Sequence, residues 1–498
     1  MDKNALLNTI KEKLPDYLFV VVSNREPFIH VYREGKIVCL KPASGLVSAL
    51  EPVMEATRGI WVAYGSGNAD KKMVDEKSRL MVPPIPPGEG EGRRQDQYTL
   101  KRVWLTKEDE AGYYYGFANE ALWPLSHLVY MRPAFRQSDW ECYQRVNKLF
   151  AQAILEEIGQ SRAFVFIQDY HFAPLAKYLK QARHDIICAL FWHIPWPNPE
   201  AFRICPWKRE ILEGLLANDL LGFHLTSHCD NFIDTVDREI EARIDREKRS
   251  VIRGRHETLI RSFPISVDFD EISRTSTSPF VRRAMSRLKK QFPIDVDFVL
   301  LGLDRLDYTK GIPEKFLAFD RFLEKYPQYR ERCVLFQNGA LSRIHLKQYK
   351  QINDEVDALA DDINWKHSTN SWSPIILTKK DMTRVECTAL FRLADVCIIG
   401  SLHDGMNLVS KEFVASRNDR DGVLVLSRFT GAARELEQAI LINPYDREDF
   451  ADKIKEALEI PKIERKRRMR ALRETVWENN IYKWASDIIL ELSGLVRP

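Results

Sequence analysis

Two cations and a glycine stand close together in LLGLDRLDYTKGIPEKF (300–316). Arg305 and Lys310 lie between an apolar run and a helix-like stretch, with Gly311 to relax the turn. Two cations on one loop at a strand end would clamp a diphosphate. The plain alternative is a solvated loop in which Asp304 and Asp307 pair them. In IIGSLHDGMNLVSKEF (398–413), Asp404-Gly405 turns off another apolar run, and Glu412 follows eight residues after Asp404. One carboxylate at a helix start and another a turn into the helix would accept hydrogen bonds from sugar hydroxyls. Alternatively, Glu412 only braces the helix.

Three more stretches put chemistry at strand ends, where open α/β sheets bind ligands. In LFWHIPWPNPEAF (190–202), His193 follows an apolar run and precedes a loop stiffened by three prolines. That suits a substrate site, or a packed histidine. In FIQDYHFAPLAKYL (166–179), Asp169 ends a run and is either a helix cap or a ligand for a hydroxyl. Arg25 stands just past the run 18–23, and further on Pro42-Ala43-Ser44-Gly45 opens a helix. Small residues there let an anion approach backbone N–H groups, although one glycine is equally an ordinary helix start.

The elements that must hold these residues alternate. Candidate strands are 18–23, 60–65, 163–168, 186–192, 219–224, 298–303, 333–338, 395–400 and 422–427. Most are continuous apolar runs, the pattern of parallel strands covered on both faces. Between them lie helix-like segments such as 139–159, 171–183, 313–326, 380–393 and 446–458. This predicts a doubly wound α/β protein. Residues 24–41 read as a loop, 83–96 as a Pro/Gly-rich surface loop, and the charged 238–255 as a solvated helix or hairpin. The strand–helix rhythm runs twice, over roughly 1–265 and 266–480, with a last helix in 481–498.

Composition narrows the class. The chain has 498 residues, 45% hydrophobic and 29% charged, which predicts folded domains and no disorder. Its net charge of +3 argues against a general nucleic-acid binder but leaves room for a local anion pocket. No apolar run is long enough to span a bilayer, and the charged N-terminus reads as no signal peptide. The eight cysteines include no close pair, so neither a zinc knuckle nor a redox pair is expected, and a reducing cytoplasm fits.

Taken together, these stretches resemble the trehalose-6-phosphate synthase family of retaining, metal-independent GT-B glycosyltransferases. The resemblance rests on SNR (23–25), YYGFANEALWP (114–124), DYH (169–171), HIPWPNPEAF (193–202), LLGFH (220–224), RLDYTKG (305–311), DGMNLVSKEF (404–413) and GVLVLSRFTGAARELEQAILINPYD (422–446). It implies a GT-B fold of two facing Rossmann-like, doubly wound domains with a catalytic cleft between them. Residues 1–265 would be the acceptor-binding domain and 266–480 the nucleotide-sugar-binding domain, with the 481–498 helix crossing back to the first. The implied reaction moves glucose from a nucleotide-glucose, UDP-glucose first, to glucose 6-phosphate. Arg305, Lys310, His193 and Asp404 would be catalytic. The donor would also meet Gly45, Asn407, Leu408, Val409 and Glu412. Arg25, Trp61, Tyr114, Trp123, Asp169 and Arg343 would hold the acceptor. No cofactor, metal, nucleic acid or membrane is implied, and a homo-oligomer is left open.

Departures from the family pattern keep a second acceptor in view. Ser44-Gly45 stands for the usual glycine pair, and Gln168 stands where a histidine precedes Asp169. SNREPF, with Glu26-Pro27 after Arg25, is similar to the glucosylglycerol-phosphate synthase branch. A transferase using that or another phosphorylated acceptor is the alternative, and a non-catalytic regulatory paralogue ranks below it.

Overall fold

The structure, a computed structural model, describes residues 1–41, 45–83 and 97–495. The chain divides into two compact units, Met1–Ile265 with Ile481–Pro498, and Ser266–Asn480. The helix-opening residues 42–44 and most of the Pro/Gly-rich stretch, 84–96, lie outside the described residues.

The first unit contains β1 (Leu18–Ser23), β2 (Ile29–Arg33), β3 (Lys36–Leu40), β4 (Ile60–Tyr64), β5 (Arg79–Val82), β6 (Tyr98–Val103), β7 (Ala163–Gln168), β8 (Ile187–Phe191), β9 (Leu220–Phe223), β10 (Arg243–Asp245), β11 (Ser250–Arg253) and β12 (His256–Ser262). Ten of them form one sheet in the order β10-β11-β12-β9-β8-β7-β1-β4-β6-β5. The seven from β6 through β4, β1, β7, β8 and β9 to β12 run parallel. In chain sequence that order is 3-2-1-4-5-6-7, so the winding reverses between β1 and β7. The expected loop after β1 contains an antiparallel hairpin instead, β2–β3, turned at Gly35 with φ 74°. Of the two readings for 238–255, the hairpin holds: β10, β11 and β12 pair antiparallel.

The helix Ile481–Ser493 belongs to this unit. It buries Ile481, Trp484, Ala485, Ile488, Ile489 and Leu492, one apolar stripe at helical spacing. Trp484 meets the rings of Phe166 and Phe191 at 5.9 and 5.2 Å. Arg261 donates to Glu491 at 2.6 Å, adding an ion pair at the rim of that contact.

The second unit contains β13 (Phe298–Arg305), β14 (Cys333–Ala340), β15 (Ile375–Thr378), β16 (Val396–Ile399), β17 (Val423–Ser427) and β18 (Ile440–Ile442). They form one all-parallel sheet in the order β15-β14-β13-β16-β17-β18. This is 3-2-1-4-5-6, the dinucleotide-fold order, with its reversal between β13 and β16. Val299–Leu303, Cys333–Phe336, Val396–Ile399 and Val423–Ser427 are buried throughout, as strands covered on both faces must be.

Candidate active site

At the reversal in the second unit, the loops after β13 and β16 meet. Asp307 accepts from the Thr309 amide (3.0 Å) and hydroxyl (2.9 Å), winding residues 308–310 into one tight turn. Gly311 follows with φ 61°, and a Cβ there would lie 2.1 Å from the Gly400 carbonyl oxygen. Only glycine permits that approach, which brings Lys310 against the loop after β16. Lys310 Nζ donates to Asp404 Oδ2 at 2.6 Å. The same oxygen accepts from Asn407 Nδ2 at 3.2 Å and faces Ser401 Oγ at 3.4 Å. The alternative pairing of Lys310 with Asp304 does not occur, because Asp304 takes the buried Lys315 at 2.8 Å.

Asn407 caps the helix Leu408–Ser416, accepting from the Ser410 amide at 3.0 Å with its own φ at 80°. Leu408 and Val409 form the half-exposed first turn, and Glu412 sits one turn further, half-buried. Burial pushes the Glu412 carboxyl up to about 7, with Arg384 pulling the other way. Lys411 beside it is fully buried and paired with Glu435 at 2.6 Å, which pins the helix.

Asp307 is a site residue that sequence reading treated only as a counter-charge. It is fully buried, and burial alone would raise its carboxyl. The charges of Arg343, Arg305 and Lys310 prevail and hold it below the usual carboxylate range. One buried anion thus serves three cations. Arg343, with φ 49°, donates to the Tyr349 hydroxyl and stands 3.6 Å from Asp307. Its side chain is only 7% exposed, so it is no solvated surface residue.

At the reversal in the first unit, Asp169 ends β7 with φ 77° and ψ 171°. Its Oδ1 accepts from the Tyr170 amide (2.9 Å) and the His193 amide (3.1 Å), tying the end of β7 to the end of β8. The cap is therefore real, and it also spans two strands. His193 Nε2 pairs with Gln168 Oε1 at 2.9 Å, and its carbonyl accepts from His224 Nε2 at 3.0 Å. Burial lowers the imidazole to about 3, so it is neutral at physiological pH. Asp169, Asn407 and Arg343 are each at positive φ, a backbone conformation that costs energy for a residue with a side chain.

Tyr114 sits on an unforeseen π-helix, Ala111–Leu122, whose i→i+5 turns often mark functional sites. Its ring stacks on His171, with centroids 5.8 Å apart. Trp123 opens the next helix, 7% exposed, against His127 and Tyr170. Arg25 is exposed past β1. Trp61 has no exposed surface: its indole N–H donates to Ser23 Oγ at 2.8 Å, and that hydroxyl donates to the Arg25 carbonyl at 2.6 Å. Gly45 is the first residue of the helix Gly45–Thr57. Among the described residues, no group of three His, Cys, Asp or Glu is placed to hold a metal ion, and no helix is long and apolar enough to cross a membrane.

The second unit has the dinucleotide-fold strand order, and the charged groups at its reversal suit a phosphate-bearing ligand. Residues 17–494 match the family model of Glycosyltransferase family 20. A trehalose-6-phosphate synthase of Mycobacterium leprae is 37% identical over 96% of this chain and 94% of its own. One from Mycobacterium tuberculosis H37Rv is 35% identical over 97% and 96%. Among solved structures, trehalose-6-phosphate from E. coli bound with UDP-2-fluoro glucose superposes with a TM-score of 0.83. It is 30% identical and covers 96% of this chain and 99% of its own. An alpha,alpha-trehalose-phosphate synthase (UDP-forming) from Burkholderia xenovorans in complex with glucose-6-phosphate also gives 0.83, at 29% identity, covering 95% and 99%. The chain belongs to glycosyltransferase family 20.

Proposed function

We propose that this protein transfers glucose from UDP-glucose to glucose 6-phosphate with retention, giving trehalose 6-phosphate and UDP. The similarity to synthases bound with UDP-2-fluoro glucose and with glucose-6-phosphate supports both substrates. The Lys310–Asp404 pair at the β13/β16 reversal carries the reading. A lysine already held at the carboxyl ends of the strands, beside Arg305, is placed to exchange its carboxylate partner for a diphosphate.

In the proposed reaction the bond from the anomeric carbon to the diphosphate oxygen breaks, and a bond to the acceptor hydroxyl oxygen forms on the same face. The hydroxyl proton passes to the departing phosphate oxygen. Negative charge grows on the diphosphate, where Lys310 and Arg305 stabilise it without reorganising. Positive charge grows on the sugar. His193, kept neutral by burial, adds no repulsion there and can offer a ring nitrogen to a sugar hydroxyl. Asp404 is released from Lys310 to accept from glucose hydroxyls, and Glu412 accepts from the ribose. Leu408, Val409 and the Gly45 backbone flank the nucleotide part.

The first unit takes the acceptor in this scheme. Arg25 grips its phosphate, Asp169 a ring hydroxyl, and Tyr114 and Trp123 the sugar faces, while Arg343, a residue of the second unit, is the further acceptor ligand to test. Trp61 positions Arg25 through Ser23. All eight cysteines are unbridged, which suits a cytoplasmic enzyme. The test is a matrix of UDP-, GDP- and ADP-glucose against glucose 6-phosphate and glycerol 3-phosphate, with products identified by mass. Trehalose 6-phosphate from UDP-glucose is the expected product. The resemblance of SNREPF to the glucosylglycerol-phosphate branch makes glycerol 3-phosphate the second acceptor to try.

A further inference from the structure

Directly after Arg25 the chain enters a buried ionic cluster that the proposed reaction does not use. Arg102 on β6 and the carboxylates of Glu26 and Asp70 have no exposed side-chain surface. Arg102 Nε donates to Glu26 Oε2 at 2.7 Å, and its Nη2 lies 2.8 Å from Asp70 Oδ1. The same guanidinium donates to the backbone oxygens of Phe28 (2.9 Å) and Asp70 (3.1 Å) and faces His30 Nδ1 at 3.0 Å. Glu26 Oε1 accepts from the Ser66 amide at 2.9 Å and faces its hydroxyl at 3.2 Å. Asp70 accepts from the amides of His30 (2.7 Å) and Gly67 (2.6 Å). Three segments that are separate in sequence, 26–30, 66–70 and the strand that carries Arg102, are joined by three side chains.

Arg25 stands between two anchored neighbours. On one side, Ser23 Oγ holds its carbonyl under the indole of Trp61. On the other, Glu26 is clamped by Arg102 and Ser66. The Arg25 side chain is exposed between buried Ser23 and buried Glu26. An exposed, flexible side chain grips a phosphate well only when its backbone does not move, since ordering it on binding costs entropy.

We infer that Glu26, locked by Arg102, is a positioning residue that fixes the backbone of Arg25 for the phosphate of the acceptor. This rests on Arg25 being a phosphate ligand, so the test separates the two claims. The substitutions are Glu26→Leu, Glu26→Gln, Arg25→Ala and the Arg25→Ala/Glu26→Leu double variant. Initial rates are measured against glucose 6-phosphate and UDP-glucose, with circular dichroism as the check of fold. Glu26→Leu should raise the acceptor KM at least tenfold while kcat and donor KM stay within twofold. Glu26→Gln, whose single amide oxygen keeps one of the Ser66 and Arg102 contacts while its NH2 can donate to Asp70, should raise acceptor KM less than Glu26→Leu does. In the double variant, Glu26→Leu should add nothing to the effect of Arg25→Ala, because its influence passes through Arg25. If Arg25→Ala raises acceptor KM but Glu26→Leu does not, or if the two effects multiply, the positioning role is overturned and the phosphate role of Arg25 stands. If Arg25→Ala leaves acceptor KM unchanged, the Arg25 assignment falls, and the positioning claim with it. Should Glu26→Leu fail to fold, Glu26→Asp replaces it. Being one methylene short, it cannot reach Arg102 and Ser66 together, and it must raise acceptor KM in the same selective way.

Discussion

The two units wind their sheets alike but equip the reversal differently. In each, a carboxylate stands just past the fourth parallel strand in chain sequence: Asp169 after β7, Asp404 after β16. Asp404 meets an ammonium group, Lys310, delivered by the loop after the unit's first parallel strand. Asp169 meets backbone amides, those of Tyr170 and His193, and beside it lies a neutral imidazole. The lesson is electrostatic. The second reversal presents cations held by the buried Asp307 and the half-buried Asp404, which fits the diphosphate of the proposed reaction. The first presents hydrogen-bonding groups and aromatic rings, suited to an uncharged sugar, with charge supplied by one exposed arginine.

The comparison breaks most visibly at Lys310. Lys310→Ala should lower kcat by about 10²- to 10³-fold, the usual loss when one preorganised stabilising group is removed. Initial rates with both substrates saturating measure it. Near-normal kcat in a folded variant would make the ion pair structural and erase the distinction between the two reversals.

Arg343 sharpens the division, because it sits beside Asp307 in the second unit yet is assigned to the acceptor. Arg343→Ala should raise acceptor KM about 10- to 150-fold, the equivalent of roughly 1.5–3 kcal/mol for a charge-assisted hydrogen bond. Donor KM should change little. If donor KM rises instead, Arg343 belongs with Arg305 and Lys310.

A smaller effect is expected from Glu412, whose carboxyl burial has raised to about 7 with Arg384 and Cys387 nearby in charge terms. Above pH 7 it is ionised and, as the proposed ribose ligand, would accept strongly from the hydroxyls. Below, it is protonated and binds more weakly. Donor KM should therefore rise about fivefold as pH falls from 8 to 6, the equivalent of about 1 kcal/mol between charged and neutral hydrogen bonds. Glu412→Gln should flatten that profile.

The sheets were largely legible because buried parallel strands read as unbroken apolar runs. All nine candidate strands, from 18–23 to 422–427, became parallel strands of the two sheets. What escaped was short or charged. β15 and β18 are edge strands of four and three residues. β6 carries Lys101 and Arg102, whose burial depends on partners far along the chain, Glu157 and Glu26. The helix expected over 171–183 starts only at Leu175, because Asp169 first winds a short turn and Pro174 intervenes. At the site, motif residues were visible as types, while Asp307 as a shared buried anion and Glu26 as an anchor were not. Their partners lie 36 and 76 positions away, and only the fold reveals such pairs.

A last effect, read in stability and not in rate, concerns the first unit, where two carboxylates share one buried arginine. Burial, and then the neighbouring Asp70, push the Glu26 carboxyl up to about 8 against the pull of Arg102. A doubly ionised pair would leave a net negative charge without solvent, so one shared proton is the favoured state. The groups facing it are Asp70, Arg102 and His30, with Cys39 and Tyr64 also within its field. His30 is itself lowered by burial and then by Arg102, so it opposes Glu26 only below its ordinary range. The sign follows from proton counts. Between about 4.5 and about 8, the folded state keeps a proton that the unfolded chain has released, so stability falls as pH rises. The slope from Glu26 is at most about 1.4 kcal/mol per pH unit. Urea unfolding at pH 6, 7 and 8 should show this component in wild type and lose it in Glu26→Gln, whose amide mimics the protonated acid. Stability at pH 6 should then differ between the two by about 1 kcal/mol or less. If Glu26 were instead ionised throughout, Glu26→Gln would cost about 3–5 kcal/mol at every pH, the penalty for breaking a buried pair, and would remove no slope.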